Sequence, residues 1–132
     1  MKSAYIDTSL LIGLKFQKSA SAMTRVVRQY KLFSSELLIA EVLAFGKRES
    51  INPDLLWDAF KGLSWVIPEE SISEECRRVI QSGYARGADL WHLACACYLS
   101  PNPRELAFLT LNERQRALAA RLGFRTPLPR RG

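Results

Sequence analysis

Three acids stand where a carboxylate can do more than keep a chain soluble. Asp7 directly follows the apolar triplet Ala4-Tyr5-Ile6, Glu41 interrupts the apolar run from Leu37 to Phe45, and Asp89 falls just inside the segment that begins at Gly87. In open parallel sheets, ligands bind outside the carboxyl ends of the strands where the strand order reverses, and Asp7 sits at such an end. Asn112 holds the matching place, two residues beyond Thr110. Plain alternatives stand beside three of the four. Asp7 and Asn112 are both good helix N-caps, Asn112-x-x-Gln115 resembles a capping box, and an acid such as Asp89 in a first helical turn gains about 0.3–1 kcal/mol from the helix dipole. Glu41 is harder to explain away. Its helical neighbours at i−4, i−3, i+3 and i+4 are Leu37, Leu38, Ala44 and Phe45, so its carboxylate projects from the stripe that should face a core. Glu36 lies about 140° around the same helix and can remain solvated.

Carboxylates gathered at one sheet edge repel one another by on the order of several kcal/mol unless a cation joins them. A hard divalent ion suits oxygen donors, and Mg²⁺ or Mn²⁺ suits a site with few protein ligands and a phosphate substrate. The chemistry such a site supports is hydrolysis of a phosphodiester by metal-activated water. His92, three residues after Asp89 and on its face, is either a base or ligand there or a histidine packed between elements. No zinc-type Cys/His set is present: Cys76, Cys95 and Cys97 read as buried reduced thiols, which fits a reducing cytoplasm. Neither G-x-G-x-x-G nor G-x-x-x-x-G-K-[ST] occurs, so dinucleotide binding and NTP hydrolysis lose their main signatures.

Charge placement points to a polyanion. Residues 1–113 carry thirteen basic and thirteen acidic residues, so the formal charge of +6 rests entirely on Arg114, Arg116, Arg121, Arg125, Arg130 and Arg131. Arginines so clustered can hold the phosphates that flank a scissile bond, Arg114 and Arg116 being nearest the Asn112 end. An acid at position 7 breaks any N-terminal signal-type run, and no apolar stretch approaches the roughly 18 residues that span a bilayer. The expectation is a cytoplasmic protein without a membrane segment.

The elements that position these residues alternate in type. Strands are expected at Ala4–Ile6, Lys31–Ser34, Leu63–Ile67, Ala107–Thr110 and Phe124–Thr126. Helices are expected after Asp7, from Ser19 to Tyr30, from Ser35 to a stop near Gly46, over Leu55–Phe60, from a Ser71-x-x-Glu74 capping box to Ser82, over Gly87–Leu99 and over Asn112–Leu122. Strands separated by helices imply right-handed parallel crossovers. The 132 residues therefore read as one three-layer α/β/α domain over residues 1–126, with a parallel sheet of about five strands, followed by a flexible basic tail over 127–132.

Tyr5-Ile6-Asp7-Thr8-Ser9, Leu38-Ile39-Ala40-Glu41-Val42-Leu43, Gly87-Ala88-Asp89-Leu90-Trp91-His92-Leu93-Ala94 and Phe108-Leu109-Thr110-Leu111-Asn112-Glu113-Arg114-Gln115 together resemble the PIN-domain family. In size and order the chain looks most like its single-domain VapC-type toxins of prokaryotic toxin–antitoxin pairs. The resemblance runs from about residue 3 to 126. It implies a Mg²⁺- or Mn²⁺-dependent endoribonuclease, a homodimer, and inhibition by a small VapB-type antitoxin. It carries the three core acidic positions onto Asp7, Glu41 and Asp89. Asn112 falls where many members have a fourth Asp, which weakens a second metal site although Asn still offers an oxygen. Two further readings follow: a non-catalytic RNA-binding or scaffold module, suggested by Asn112, and a structure-specific DNA nuclease of the same superfamily.

Overall fold

Four strands form an all-parallel sheet in the order β3-β2-β1-β4, seen in a computed structural model that describes residues 1–17 and 21–128. The strands are β1 (Lys2–Ile6), β2 (Tyr30–Ser35), β3 (Leu63–Val66) and β4 (Leu106–Leu109). Seven α-helices accompany them among the described residues: α1 (Thr8–Phe16), α2 (Ser21–Val27), α3 (Leu37–Arg48), α4 (Pro53–Ala59), α5 (Ser73–Ser82), α6 (Gly87–Leu99) and α7 (Glu113–Leu122).

Alternation along the central strands builds two cores. Ala4 and Ile6 of β1 and Ala107 and Leu109 of β4 pack with Leu10, Leu11, Leu38, Val42 and Leu56 from α1, α3 and α4. Tyr5, Leu106 and Phe108 point the other way and pack with Val79, Leu93, Leu118 and Leu122 from α5, α6 and α7. Successive strand residues face opposite sides, so the same short segments feed both layers. Each fully buried leucine contributes about 1.5–3 kcal/mol of transfer free energy, which ties both helical layers to β1 and β4.

Strand order explains the site's location. From β1 the chain steps outward through β2 to β3, then crosses back by way of α5 and α6 to place β4 on the free side of β1. The order therefore reverses between β1 and β4, whose register pairs Ile6 with Leu109. Asp7 and Thr110 are the next residues of each strand, and the Asp7 N–H donates to the Leu109 carbonyl at 3.4 Å.

Several sequence expectations need correction. The fifth strand over Phe124–Thr126 is reduced to one parallel bridge between Arg125 and Ala107. Gly123 takes a left-handed φ of 102° to end α7 and Pro127 follows at once, so too few residues remain for a ladder. Gly46 does not stop α3 but lies buried within it, where the Leu56 side chain of α4 fills the space a Cβ would need. The expected capping box at Ser71 is absent: Ile72 is the N-cap of α5 without a side-chain bond, and Ser71 Oγ accepts from the Ser73 N–H at 3.2 Å. Tyr30, expected at the end of a helix, opens β2, while the proposed helix start at Ser19 lies outside the described residues. The packed body also runs past residue 126. Leu128 is buried in the α1/α3 core and the Arg116 guanidinium donates to the Thr126 and Leu128 carbonyls; positions 129–132 of the expected tail lie outside the described residues.

No helix among the described residues is long and apolar enough to cross a membrane.

Candidate active site at the carboxyl edge of the sheet

Asp7 ends β1 and caps α1 at the same time. Its Oδ1 accepts from the Leu10 N–H at 3.2 Å and the Ser9 hydroxyl at 2.8 Å, and its Oδ2 accepts from the Thr110 hydroxyl at 2.5 Å. The two readings of Asp7 are therefore compatible, because a carboxylate has about four acceptor positions and capping occupies one. Only 3% of Asp7 is exposed. Burial pushes its carboxyl above the usual range despite the Thr110 and Ser9 hydroxyls and the Leu10 N–H that bond it, so the charged form is held at a cost.

Thr110 and Ser9 tie the reversal point together. Ser9 Oγ also accepts from the Leu111 N–H at 3.1 Å, and Thr110 Oγ1 accepts from the Asn112 N–H at 3.1 Å. α1 is brought close to this loop by Gly13, since the Leu111 side chain occupies the place of a Cβ. The β4–α7 connection is thus bonded to the Asp7 turn through side chains that sequence reasoning did not single out. A Thr one residue past a strand and a Ser in a cap carry no signal until their partners are known.

Glu41 sits half-buried on α3, in the predicted stripe. Its Oε1 accepts from the Thr8 hydroxyl at 2.6 Å and lies 2.9 Å from His92 Nε2. Burial raises its pKa, but the bonds from His92 and Thr8 outweigh that and leave it below the ordinary glutamate value. An ionised carboxylate only accepts, so His92 Nε2 carries the proton and Nδ1 faces the Tyr5 hydroxyl at 2.7 Å. Burial pushes the Tyr5 phenol far up, so it keeps its hydrogen and donates it to Nδ1. His92 is therefore both the packed helix histidine and a member of the site, edge-on to the Tyr5 ring at 5.7 Å between centroids.

Asp89 reaches the same edge from the first turn of α6. Burial raises its pKa, the Glu41 charge adds to the rise and Arg86 opposes it. His92 lies close to all three predicted acids, Asp7, Glu41 and Asp89. Asp89 lines a crevice of about 470 Å³ with Arg86, Asn112, Glu113 and Arg114. Gln115 fastens the two sides, donating its side-chain amide to the Asp89 carbonyl at 2.9 Å.

The remaining predicted residues divide. Asn112 is the N-cap of α7, its Oδ1 accepting from the Gln115 N–H at 3.0 Å, so only half of the expected capping box forms. Arg114 is exposed at the crevice, whereas Arg116 is turned to the chain's own carbonyls at Thr126 and Leu128. Arg86, which the sequence reading passed over, shares the crevice with Arg114.

Among the described residues no group of three or more His, Cys, Asp and Glu side chains is gathered closely enough to hold a metal ion directly. The donor set itself is oxygen-rich and hard. Among the described residues the Asp89 carboxylate makes no hydrogen bond and Glu41 engages only Oε1, which suits a cation that keeps most of its waters. All three cysteines are free and outside the set. Neither a protein-family model nor a curated protein matches this chain.

Proposed function

We propose that this chain is a PIN-like, Mg²⁺- or Mn²⁺-dependent endoribonuclease, the toxin of a VapBC-type pair. The observation that carries the reading is the gathering of Asp7, Glu41 and Asp89 near one histidine at the sheet's reversal point, with Asp7 buried and in no ion pair with a Lys or Arg among the described residues. Asp7, Glu41 and Asp89 would hold the ion largely through water, and Asn112 Oδ1 has one lone-pair direction left beside its cap. A bound divalent ion supplies a nucleophilic water and stabilises the departing oxygen.

The chain's own groups do the rest. Thr8 and His92 hold the Glu41 carboxylate in one orientation, and Ser9 and Thr110 do the same for Asp7. Arg114 offers a cation to a neighbouring phosphate. A homodimer and a small VapB-type antitoxin belong to the same reading, on the sequence resemblance alone.

Purified protein should cut single-stranded RNA in Mg²⁺ or Mn²⁺, stop in chelator, and lose cutting in Asp7→Asn. Full cleavage by Asp7→Asn would sink the assignment. A second reading, a non-catalytic RNA-binding module, is favoured by one observation: no direct three-ligand metal set stands among the described residues. It predicts RNA binding without metal and no Mn²⁺ heat on titration. Flapped DNA run beside the RNA separates a structure-specific DNA nuclease.

A further inference from the structure

We propose that Arg86 and Arg114 form a subsite for one backbone phosphate of single-stranded RNA, on the lip of the Asp89 crevice. The inference rests on the reading of that crevice as a nuclease site and deepens it by requiring a polymer substrate. The two arginines are 28 positions apart in the chain, yet line one cavity of about 470 Å³ together with Asp89 and Asn112. They come from different elements. Arg86 is the N-cap of α6 and Arg114 lies in the first turn of α7.

Several features favour a phosphate over a structural role. Neither guanidinium makes a hydrogen bond or close ion pair among the described residues, and both are exposed, in contrast to Arg116, which is bonded to two carbonyls. Planar guanidinium groups match phosphate oxygens, and two of them from separate elements can grip one phosphate from two sides. The crevice is otherwise acidic through Asp89 and Glu113, so a free anion gains little from it. A polymer whose adjacent phosphate lies over the acids with a divalent cation would gain most. Tyr84, 66% exposed and two residues before Arg86, adds a ring on which a base can stack. The first turn of α6 has no side-chain cap, which leaves its backbone N–H groups as further donors on that lip.

The test separates binding from cutting. Affinity for a fluorescent single-stranded RNA is measured by anisotropy in chelator across a salt series, for the full chain, Arg86→Gln, Arg114→Gln, the double variant and Lys31→Gln. Lys31 lies near the amino end of β2, away from the carboxyl edge, and controls for the loss of one charge. Each crevice variant should bind several-fold more weakly, and the double variant should flatten the log–log salt slope by about 0.7, the value for one single-strand phosphate contact. Lys31→Gln should match the parent chain. Both arginines are exposed, so far-UV dichroism should be unchanged.

Equal affinity and slope in all five proteins would overturn the subsite, as would an equal loss in Lys31→Gln. Cleavage in Mg²⁺ is scored separately. A parent chain that cuts, with crevice variants that bind and cut as it does, removes the subsite and leaves the nuclease reading. A parent chain that never cuts, with crevice variants that lose binding as stated, supports the subsite and removes the nuclease reading.

Discussion

His92 Nε2 lies 2.9 Å from Glu41 Oε1, joining α6 to α3 across the carboxyl edge of the sheet. The other ring nitrogen is 2.7 Å from the Tyr5 hydroxyl of β1, so one imidazole connects both helical layers to the central strand. Such a bond fixes the tautomer and aims the carboxylate, as partners behind a ligand do in metal sites.

Removing that partner should cost activity more than stability. His92→Gln keeps an amide donor near Glu41, whereas His92→Ala leaves Glu41 with Thr8 alone. Steady-state cleavage should fall by about 10–100-fold in kcat for His92→Ala, with smaller losses for His92→Gln and Tyr5→Phe. An equal loss in the alanine and glutamine variants would argue that His92 acts as more than a donor to Glu41.

Asp7 should weaken the fold that it equips. Burial raises its pKa in the folded chain above the unfolded value, so the folded state binds this proton more tightly. Stability on this account falls as pH rises through the raised pKa and recovers as pH falls below it, the reverse of an ion-paired acid. Asp7→Asn retains a capping oxygen, and the Thr110 hydroxyl can turn to accept from the new amide. In chelator at neutral pH, Asp7→Asn should melt higher than the parent chain, and the gap should close as pH is lowered through the acid range. A variant that melts lower at neutral pH would contradict this.

Two helical glycines should respond differently to alanine. A Cβ at Gly46 meets both methyls of Leu56 and stands 3.0 Å from its Cγ, and Leu56 is itself buried between α3 and α4. Overpacking there should cost about 1–3 kcal/mol, which outweighs the roughly 1 kcal/mol that alanine gains in helix propensity. At Gly13 the close contact is a single terminal methyl of half-buried Leu111, which can rotate away. Urea denaturation should show Gly46→Ala clearly destabilised and Gly13→Ala near neutral.

The thiols should differ in reactivity. Burial pushes Cys95 to about 12 and Cys97 to about 11. At pH 8 their thiolate fractions are then about one in ten thousand and one in a thousand, and both side chains are covered. Cys76 is only partly buried. Iodoacetamide on the folded chain, read by mass spectrometry, should label Cys76 first, with Cys95 and Cys97 reacting only after denaturation.

Local chemistry was enough to read several elements. The apolar triplet before Asp7, the stripe around Glu41 and the Gly87 start before Asp89 locate a strand end and two helices, because periodicity and caps act within a few residues. Glu41 in particular was legible from four neighbours at helical spacing. Which strands pair is a different matter. Only the return of the chain from β3 to the free side of β1 sets Asp7 beside Thr110, 103 positions away, and Phe124–Thr126 failed as a strand because Gly123 and Pro127 left it one bridge long. His92 could be read as packed or functional until Tyr5 and Glu41 were found on either side of it, and Arg116 looked like a partner of Arg114 until Leu128 folded back under it. Short-range signals fix conformation along the chain, whereas carboxylate burial, tautomer and the freedom of each arginine depend on groups that only the tertiary fold brings within hydrogen-bonding distance.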